Sequence, residues 1–129
     1  MIFTLEQIKT AHYKVKTGAD FPGYAREIKI LGVHYYETFV QDGHTNYHGI
    51  EGYGLNSDPK YTPIEVSAHS NNEQFKKDLA RHQKGMTDYI QFTRDCARNG
   101  VEKWAVCLDT MSCTYFDKAG NKMLVEKIP

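Results

Sequence analysis

The side chains best suited to chemistry are Cys113, His82 and Asp109, the residue types of a thiol nucleophile, its base and the group that orients the base. Asp109 is near Cys113 in the sequence, whereas His82 would have to approach it in the folded chain. A reactive thiolate needs a polar, partly exposed setting, yet cysteine is among the most often buried residue types. No local signature of a thiol hydrolase surrounds Cys113. A small enzyme built on these three residues is therefore the alternative hypothesis.

Histidine and cysteine spacing bears on metal binding. His44 and His48 are four residues apart, which in a strand is about 13 Å and too far to share an ion. The three cysteines, Cys96, Cys107 and Cys113, contain no C-x-x-C pair. We therefore predict neither a metal site nor a cofactor.

Aromatic residues are the other conspicuous feature of this chain. Those that could line a cleft are Tyr35, Tyr36, Tyr47, Tyr53, Tyr61, Tyr89, Trp104 and Tyr115. Aromatic side chains are also good strand formers, but the outer face of an open sheet must be polar, covered or used for binding. The leading hypothesis is a non-enzymatic binding or interaction module that uses the exposed sheet face and the loop at residues 49–61. Its predicted ligand-binding residues are Trp104, Tyr115, Tyr36 and Tyr47.

Composition limits the kinds of partner. The chain has 129 residues, with 16 Lys plus Arg balanced by 16 Asp plus Glu. This balance gives no electrostatic reason to expect nucleic acid or a membrane surface, while a net charge near zero favours self-association into a homodimer. No run approaches the ~20 apolar residues of a membrane span, and Glu6 interrupts the start before a signal-peptide core could form. We expect a cytoplasmic protein with reduced thiols.

Two helices are predicted before the first strand. Thr4 and Gln7 form a capping box, so the first helix begins directly after Thr4 and ends before Gly18. The second helix uses Pro22 in its first turn and ends at Gly32.

Residues 33–50 predict a β-hairpin, because they are rich in aromatic and β-branched residues and contain Asp42-Gly43. That dipeptide favours a two-residue type I′ turn, which would place Glu37 opposite His48. Such a pair could orient a histidine base, although cross-strand charge pairs commonly only stabilise a sheet.

The middle of the chain predicts a loop, a short strand and two more helices. Glycines and prolines between residues 49 and 63 indicate the loop, and residues 64–67 are the strand candidate. Ser70, followed by a glutamate three residues on, begins the third helix, which ends at Gly85. Thr87 begins the fourth helix.

The last third of the chain returns to strands. Trp104, Val106 and Leu108 alternate with other residues, as in a half-buried strand. Two further strands, at residues 114–116 and 122–125, follow turn sequences.

These elements predict an α+β fold in the order ααβββααβββ, with two layers and helices packed on one face of an antiparallel sheet. Residues 1–129 are predicted to form a single domain, and no internal repeat or linker is apparent. Both faces of the 33–50 hairpin carry aromatics, so the sequence leaves open which face the helices cover.

The segments HQKGMTDY (82–89), GVEKW (100–104), TYFD (114–117) and GN (120–121) resemble the YdfO-like family, which also holds YbcV-like proteins. Its members are small bacterial and prophage-borne proteins of unknown function, sometimes labelled phage envelope proteins. The resemblance covers nearly the whole chain. It implies a compact two-layer α+β domain and implies no activity.

Overall fold

The computed structural model describes residues 2–16 and 18–129, which form four α-helices and six β-strands. The helices are α1 (Leu5–Tyr13), α2 (Phe21–Leu31), α3 (Asn72–Gln83) and α4 (Tyr89–Arg98). The strands are β1 (Tyr35–Phe39), β2 (Thr45–His48), β3 (Gly54–Asn56), β4 (Val101–Cys107), β5 (Ser112–Asp117) and β6 (Lys122–Lys127). In the described part of the chain, no helix combines the length and apolarity needed to cross a membrane.

The strands form one six-stranded antiparallel sheet with the order β3-β2-β1-β4-β5-β6. Its central pair joins β1 to β4, with Glu37 opposite Ala105. The fold is therefore α+β, as predicted, and the order of helices and strands follows ααβββααβββ.

The helices cover the sheet face that carries Tyr36 and Thr38, which are buried while their neighbours in β1 are half-buried. Tyr24 of α2 packs on Tyr36, with ring centroids 6.4 Å apart. Phe92 of α4 packs on Trp104 of β4 at 5.6 Å. The covered face is thus the one that presents Tyr36 and Trp104.

The two halves of the chain share one plan, two helices followed by three strands. Asp20 and Asp88 precede α2 and α4, Gly32 and Gly100 follow these helices, and the same spacing separates the members of each pair. Both glycines adopt the left-handed conformation common at helix ends, with φ of 114° and 85°. Equivalent positions in the two halves share backbone conformation but mostly differ in residue type. Comparing the sequences of the two halves therefore does not reveal the structural repeat.

The predicted ends of the first two helices are mostly confirmed. The capping box of Thr4 and Gln7 forms as expected. The backbone N–H of Val33 donates to the carbonyl of Ile28 at 3.1 Å, which completes the helix end at Gly32.

Both predicted helix starts in the second half are one residue early. Asn71, rather than Ser70, caps α3 and accepts a hydrogen bond from the N–H three residues on at 3.1 Å. Asp88, rather than Thr87, caps α4 in the same way at 2.8 Å. Asn and Asp are as effective as Ser and Thr at this position, so neighbouring candidates cannot be ranked by residue type.

The predicted hairpin register is wrong by two residues. Glu37 pairs with Asn46 and Tyr35 pairs with His48. The connecting loop is longer than a type I′ turn, which needs positive φ at two residues. Among the described residues of this loop only Gly43 has a positive φ, of 76°, and its N–H donates at 2.8 Å to the carbonyl four residues earlier.

The third strand is β3 rather than the predicted segment 64–67. β3 pairs with β2, with Tyr47 opposite Leu55. The N–H of Ile64 instead donates to the carbonyl of Gln41 at 2.7 Å, in a segment without regular structure. The glycines near β3 indicated a loop, but the edge of β2 offers backbone partners that even a short strand satisfies.

Gly18, in the connection between α1 and α2, packs directly against α3. A Cβ atom on Gly18 would lie 2.6 Å from Cδ2 and 2.7 Å from the carbonyl oxygen of His82. The ring of His82 is itself stacked on Phe92, with centroids 4.2 Å apart. Glycine is therefore required where the helix pairs of the two halves touch.

We predict that Gly18→Ala lowers the free energy of unfolding by about 1–3 kcal/mol, because the added methyl group overpacks against His82. Urea denaturation measures the change. Gly23→Ala in α2 is the matched control, since its Cβ would meet nothing within 4 Å. We expect the control to be neutral or up to about 1 kcal/mol stabilising. Equal stability of Gly18→Ala and the unsubstituted protein would contradict the close contact.

Candidate functional site: an aromatic cavity between the two halves

A cavity of about 480 Å³ lies between the covered face of the sheet and the helices. Strands β1, β2, β4 and β5 supply its floor, and all four α-helices supply side chains to its roof. This volume is within the range of roughly 300–1,000 Å³ that is usual for small-molecule sites.

Equivalent residues of the two halves line the cavity together. Tyr36 and Tyr47, cross-strand partners in the first half, correspond in position to Trp104 and Tyr115 in the second. Further equivalent pairs in the lining are Phe21 with Tyr89, Tyr24 with Phe92, and Thr45 with Cys113. The cavity is therefore a consequence of the two-part plan, because it lies where the halves meet.

All four predicted ligand-binding residues line this cavity. Trp104, Tyr115, Tyr36 and Tyr47 are only 7%, 6%, 3% and 3% exposed, so the expectation that they form an exposed aromatic face is wrong. The helices cover the face that carries them. Their role in binding stays a prediction, and the site it concerns is internal.

Three aromatic side chains of the cavity wall each keep one polar atom without a partner among the described residues. The hydroxyls of Tyr36 and Tyr89 and Nε1 of Trp104 make no hydrogen bond within residues 2–16 and 18–129. Every fully buried side-chain nitrogen or oxygen of the described residues has a hydrogen-bond partner. These three atoms have none, so they are not fully buried and face open space. Burial raises the pKa of both tyrosines, so their hydroxyls remain protonated. The cavity thus presents unused hydrogen-bond donors.

Four hydroxyls of the lining are paired with each other. The hydroxyls of Thr38 and Thr45 lie 2.8 Å apart across the β1–β2 pair. Burial raises the pKa of Tyr24 and of Tyr47, whose hydroxyls also interact with each other. In each pair one hydroxyl donates and the other accepts, so the first pair links β1 to β2 and the second links α2 to β2.

Positive charge collects at one mouth of the cavity. Desolvation and then the charge of Lys9 lower the pKa of Lys60, whose side chain is exposed but whose ammonium group is crowded by protein atoms. Desolvation and then the charge of Lys60 lower the pKa of His12 to about 4, so its imidazole is neutral at pH 7. Lys60 and His12 were not among the site residues identified from the sequence. The one available signal was that His12 lies near the core-facing side of α1.

The predicted catalytic residues do not share a hydrogen-bonded cluster within the described part of the chain. Asp109 lies in the β4–β5 turn, where its carboxylate is 3.1 Å from Nδ1 of His34. Nδ1 of His82 instead contacts the carbonyl oxygen of Thr87 at 3.0 Å. Cys113 lines the cavity, and burial raises the pKa of its thiol to about 12, which disfavours the reactive thiolate.

Two other histidines lie in the first hairpin, away from the cavity lining. The predicted Glu37–His48 pair is wrong, because Glu37 accepts a hydrogen bond from Nζ of Lys103. His44 pairs with Asp42 beside the hairpin turn. Across residues 2–16 and 18–129, no group of three or more His, Cys, Asp or Glu side chains could hold a metal ion.

Cys107 differs from the other two thiols. It is half-buried on the sheet face away from the helices, and hydrogen bonds from the side chain and backbone of Thr110 lower the pKa of its thiol. Its alternation with Val106, which is buried, was the sequence signal for this placement. Burial raises the pKa of Cys96, as it does that of Cys113.

We predict that iodoacetamide modifies Cys107 faster than Cys113 or Cys96 in the folded protein at pH 8, by roughly tenfold or more, because only Cys107 has a lowered pKa and an accessible thiol. Mass spectrometry of a time course measures the order. Cys107→Ser removes the fast modification, whereas Cys113→Ser leaves it unchanged. Fastest labelling at Cys113 would instead favour the cysteine-enzyme hypothesis.

Comparison with known families classifies the chain without supplying an activity. A family model matches residues 9–127, which contain all six strands of the sheet and most of its helical layer. A search of curated proteins finds no match. The chain belongs to the family described as "Protein of unknown function (DUF1398)".

Proposed function

We propose that the protein is a non-enzymatic binding module that holds a small aromatic molecule in its interior cavity. One observation carries the proposal: the unpaired donors of Tyr36, Tyr89 and Trp104 face open space in an aromatic enclosure. Buried tyrosine hydroxyls and tryptophan N–H groups normally have partners. A ligand with acceptor atoms would supply the partners that the protein does not.

The rings around the cavity support an aromatic ligand. Trp104 makes tilted or edge contacts with Phe92 at 5.6 Å and with Tyr89 and Tyr115 at 6.5 and 6.4 Å. Offset and edge-to-face arrangements are the favourable geometries for aromatic pairs. A planar guest would extend this network with the same kind of contact.

The enzyme hypothesis based on Cys113, His82 and Asp109 lacks comparable support. Cys113 and His82 line the cavity, but Asp109 pairs with His34 in an exposed turn. Burial keeps the thiol of Cys113 protonated at neutral pH. These contacts indicate that Cys113 shapes the cavity wall rather than acting as a nucleophile.

We further propose a finer classification as a YdfO-like, single-domain protein of bacterial or prophage origin. The segments at residues 82–89, 100–104 and 114–117 support it by resemblance. Three free cysteines are consistent with the proposed cytoplasmic location, where thiols stay reduced. The formal net charge of zero supports the proposed homodimer.

The binding proposal can be tested at Trp104, the one tryptophan of the sequence, whose indole N–H gives a single NMR resonance. We predict that titration with 2-naphthol shifts this resonance saturably. Cys113→Leu fills part of the cavity and weakens binding by roughly tenfold or more.

Cys107→Leu is the matched control, because Cys107 lies on the opposite face of the sheet and does not line the cavity. We expect its affinity for 2-naphthol to equal that of the unsubstituted protein. The proposal fails if naphthalene alcohols, amides and acids all leave the Trp104 resonance unchanged, or if both leucine variants weaken binding equally.

A further inference from the structure

The charged residues that line the cavity differ in whether their charged groups make hydrogen bonds to the protein. They are Lys60, Glu126 and Lys127. Glu126 accepts a hydrogen bond from Nε2 of Gln83 at 2.9 Å, and Nζ of Lys127 donates to the carbonyl of Thr110 at 3.3 Å. Within the described ranges, Lys60 has no ion pair. Of the three, Lys60 is the one whose charged group makes no hydrogen bond to the described residues, so a ligand can reach it without displacing a protein contact.

The backbone of Lys60 is held firmly at the mouth. Its N–H donates to the carbonyl of Asp42 at 2.8 Å. The neighbouring Tyr61 donates its hydroxyl to the carbonyl of Val40 at 2.6 Å. Cβ of Lys60 packs so close to Gly43 that an added Cβ there would lie 3.2 Å away. The ammonium group therefore extends from a fixed point beside the cavity.

The neighbours of Lys60 leave its charge uncompensated. Lys9 and His12, both from α1, are the charged or titratable groups that interact with it. Lys9 is a like charge, and the neutral imidazole of His12 makes no hydrogen bond within residues 2–16 and 18–129. An anion at this point would gain the attraction of two ammonium groups and a hydrogen bond from His12.

The interior of the cavity is best suited to the uncharged part of a ligand. Its walls are aromatic rings, hydroxyls and a protonated thiol, and its lining charges are those of Lys60, Glu126 and Lys127. Aromatic faces can also attract a cation. A cationic end could bind at Glu126, where Gln83 already occupies one carboxylate oxygen, but it would be repelled by the ammonium groups of Lys60 and Lys127 in the same lining.

We infer that the ligand is an aromatic acid, whose ring system occupies the cavity and whose carboxylate contacts Lys60 at the mouth. This inference rests on the proposed binding function and specifies its ligand class. Tyr36, Tyr89 and Trp104 donate to acceptor atoms on the ring system, while Lys60 and His12 bind the carboxylate.

The test compares 2-naphthoate with 2-naphthamide, a neutral molecule of nearly the same shape, by titration at the Trp104 resonance. We predict that the protein binds 2-naphthoate about tenfold more tightly, as a charge-assisted contact of about 1.4 kcal/mol requires. Lys60→Gln removes this preference, because it weakens the binding of 2-naphthoate about tenfold more than that of 2-naphthamide. Lys127→Gln, the same substitution at the lysine already bonded to Thr110, keeps the preference.

The outcomes separate this inference from the proposal beneath it. If 2-naphthamide binds as tightly as 2-naphthoate, or if Lys60→Gln and Lys127→Gln behave alike, the aromatic-acid inference is wrong while cavity binding stands. Tighter binding of 2-naphthylmethylamine would also overturn it, in favour of a cationic ligand. If none of the three probes shifts the Trp104 resonance, the binding proposal fails as well.

Discussion

The antiparallel pairing of β1 with β4 is the interaction on which the rest of the structure depends. These strands are the first of their respective halves, and their hydrogen bonds join two three-stranded units into one sheet. Each half brings its own helix pair to the same face. Without this central pairing, Tyr36 and Trp104 would not share a surface, and the cavity between the halves would not exist.

The helices cover one face of the sheet, but their side chains do not fill all the space above it, and the cavity is the space that remains. Side chains on helices and strands normally interdigitate to crystal-like density. Here aromatic rings meet edge to face, and the donors of Tyr36, Tyr89 and Trp104 stay open to the gap. Unpaired donors facing a space of this size among aromatic rings are the physical reason to regard it as a site rather than a packing defect.

The charged groups are distributed unequally around the cavity. At the mouth near the hairpin turn, desolvation and then the charge of Lys60 lower the pKa of His12, and desolvation and then the charge of Lys9 lower that of Lys60. Toward β6, Glu126 is already engaged by Gln83. Because the positive charge lies at the mouth near the hairpin turn and the interior is aromatic, a ligand with one anionic end would bind with that end toward Lys60.

The sequence by itself determined the α+β class, the approximate positions of the helices, and the capping box at Thr4, because these follow from hydrophobic spacing and local backbone chemistry. It also singled out aromatic residues that prove to line one cavity. Only the tertiary structure decided the hairpin register, the place of β3, the covered face and the contacts of Lys60. Those features depend on partners distant in the chain, and no local pattern records which partner a strand edge or an ammonium group will meet.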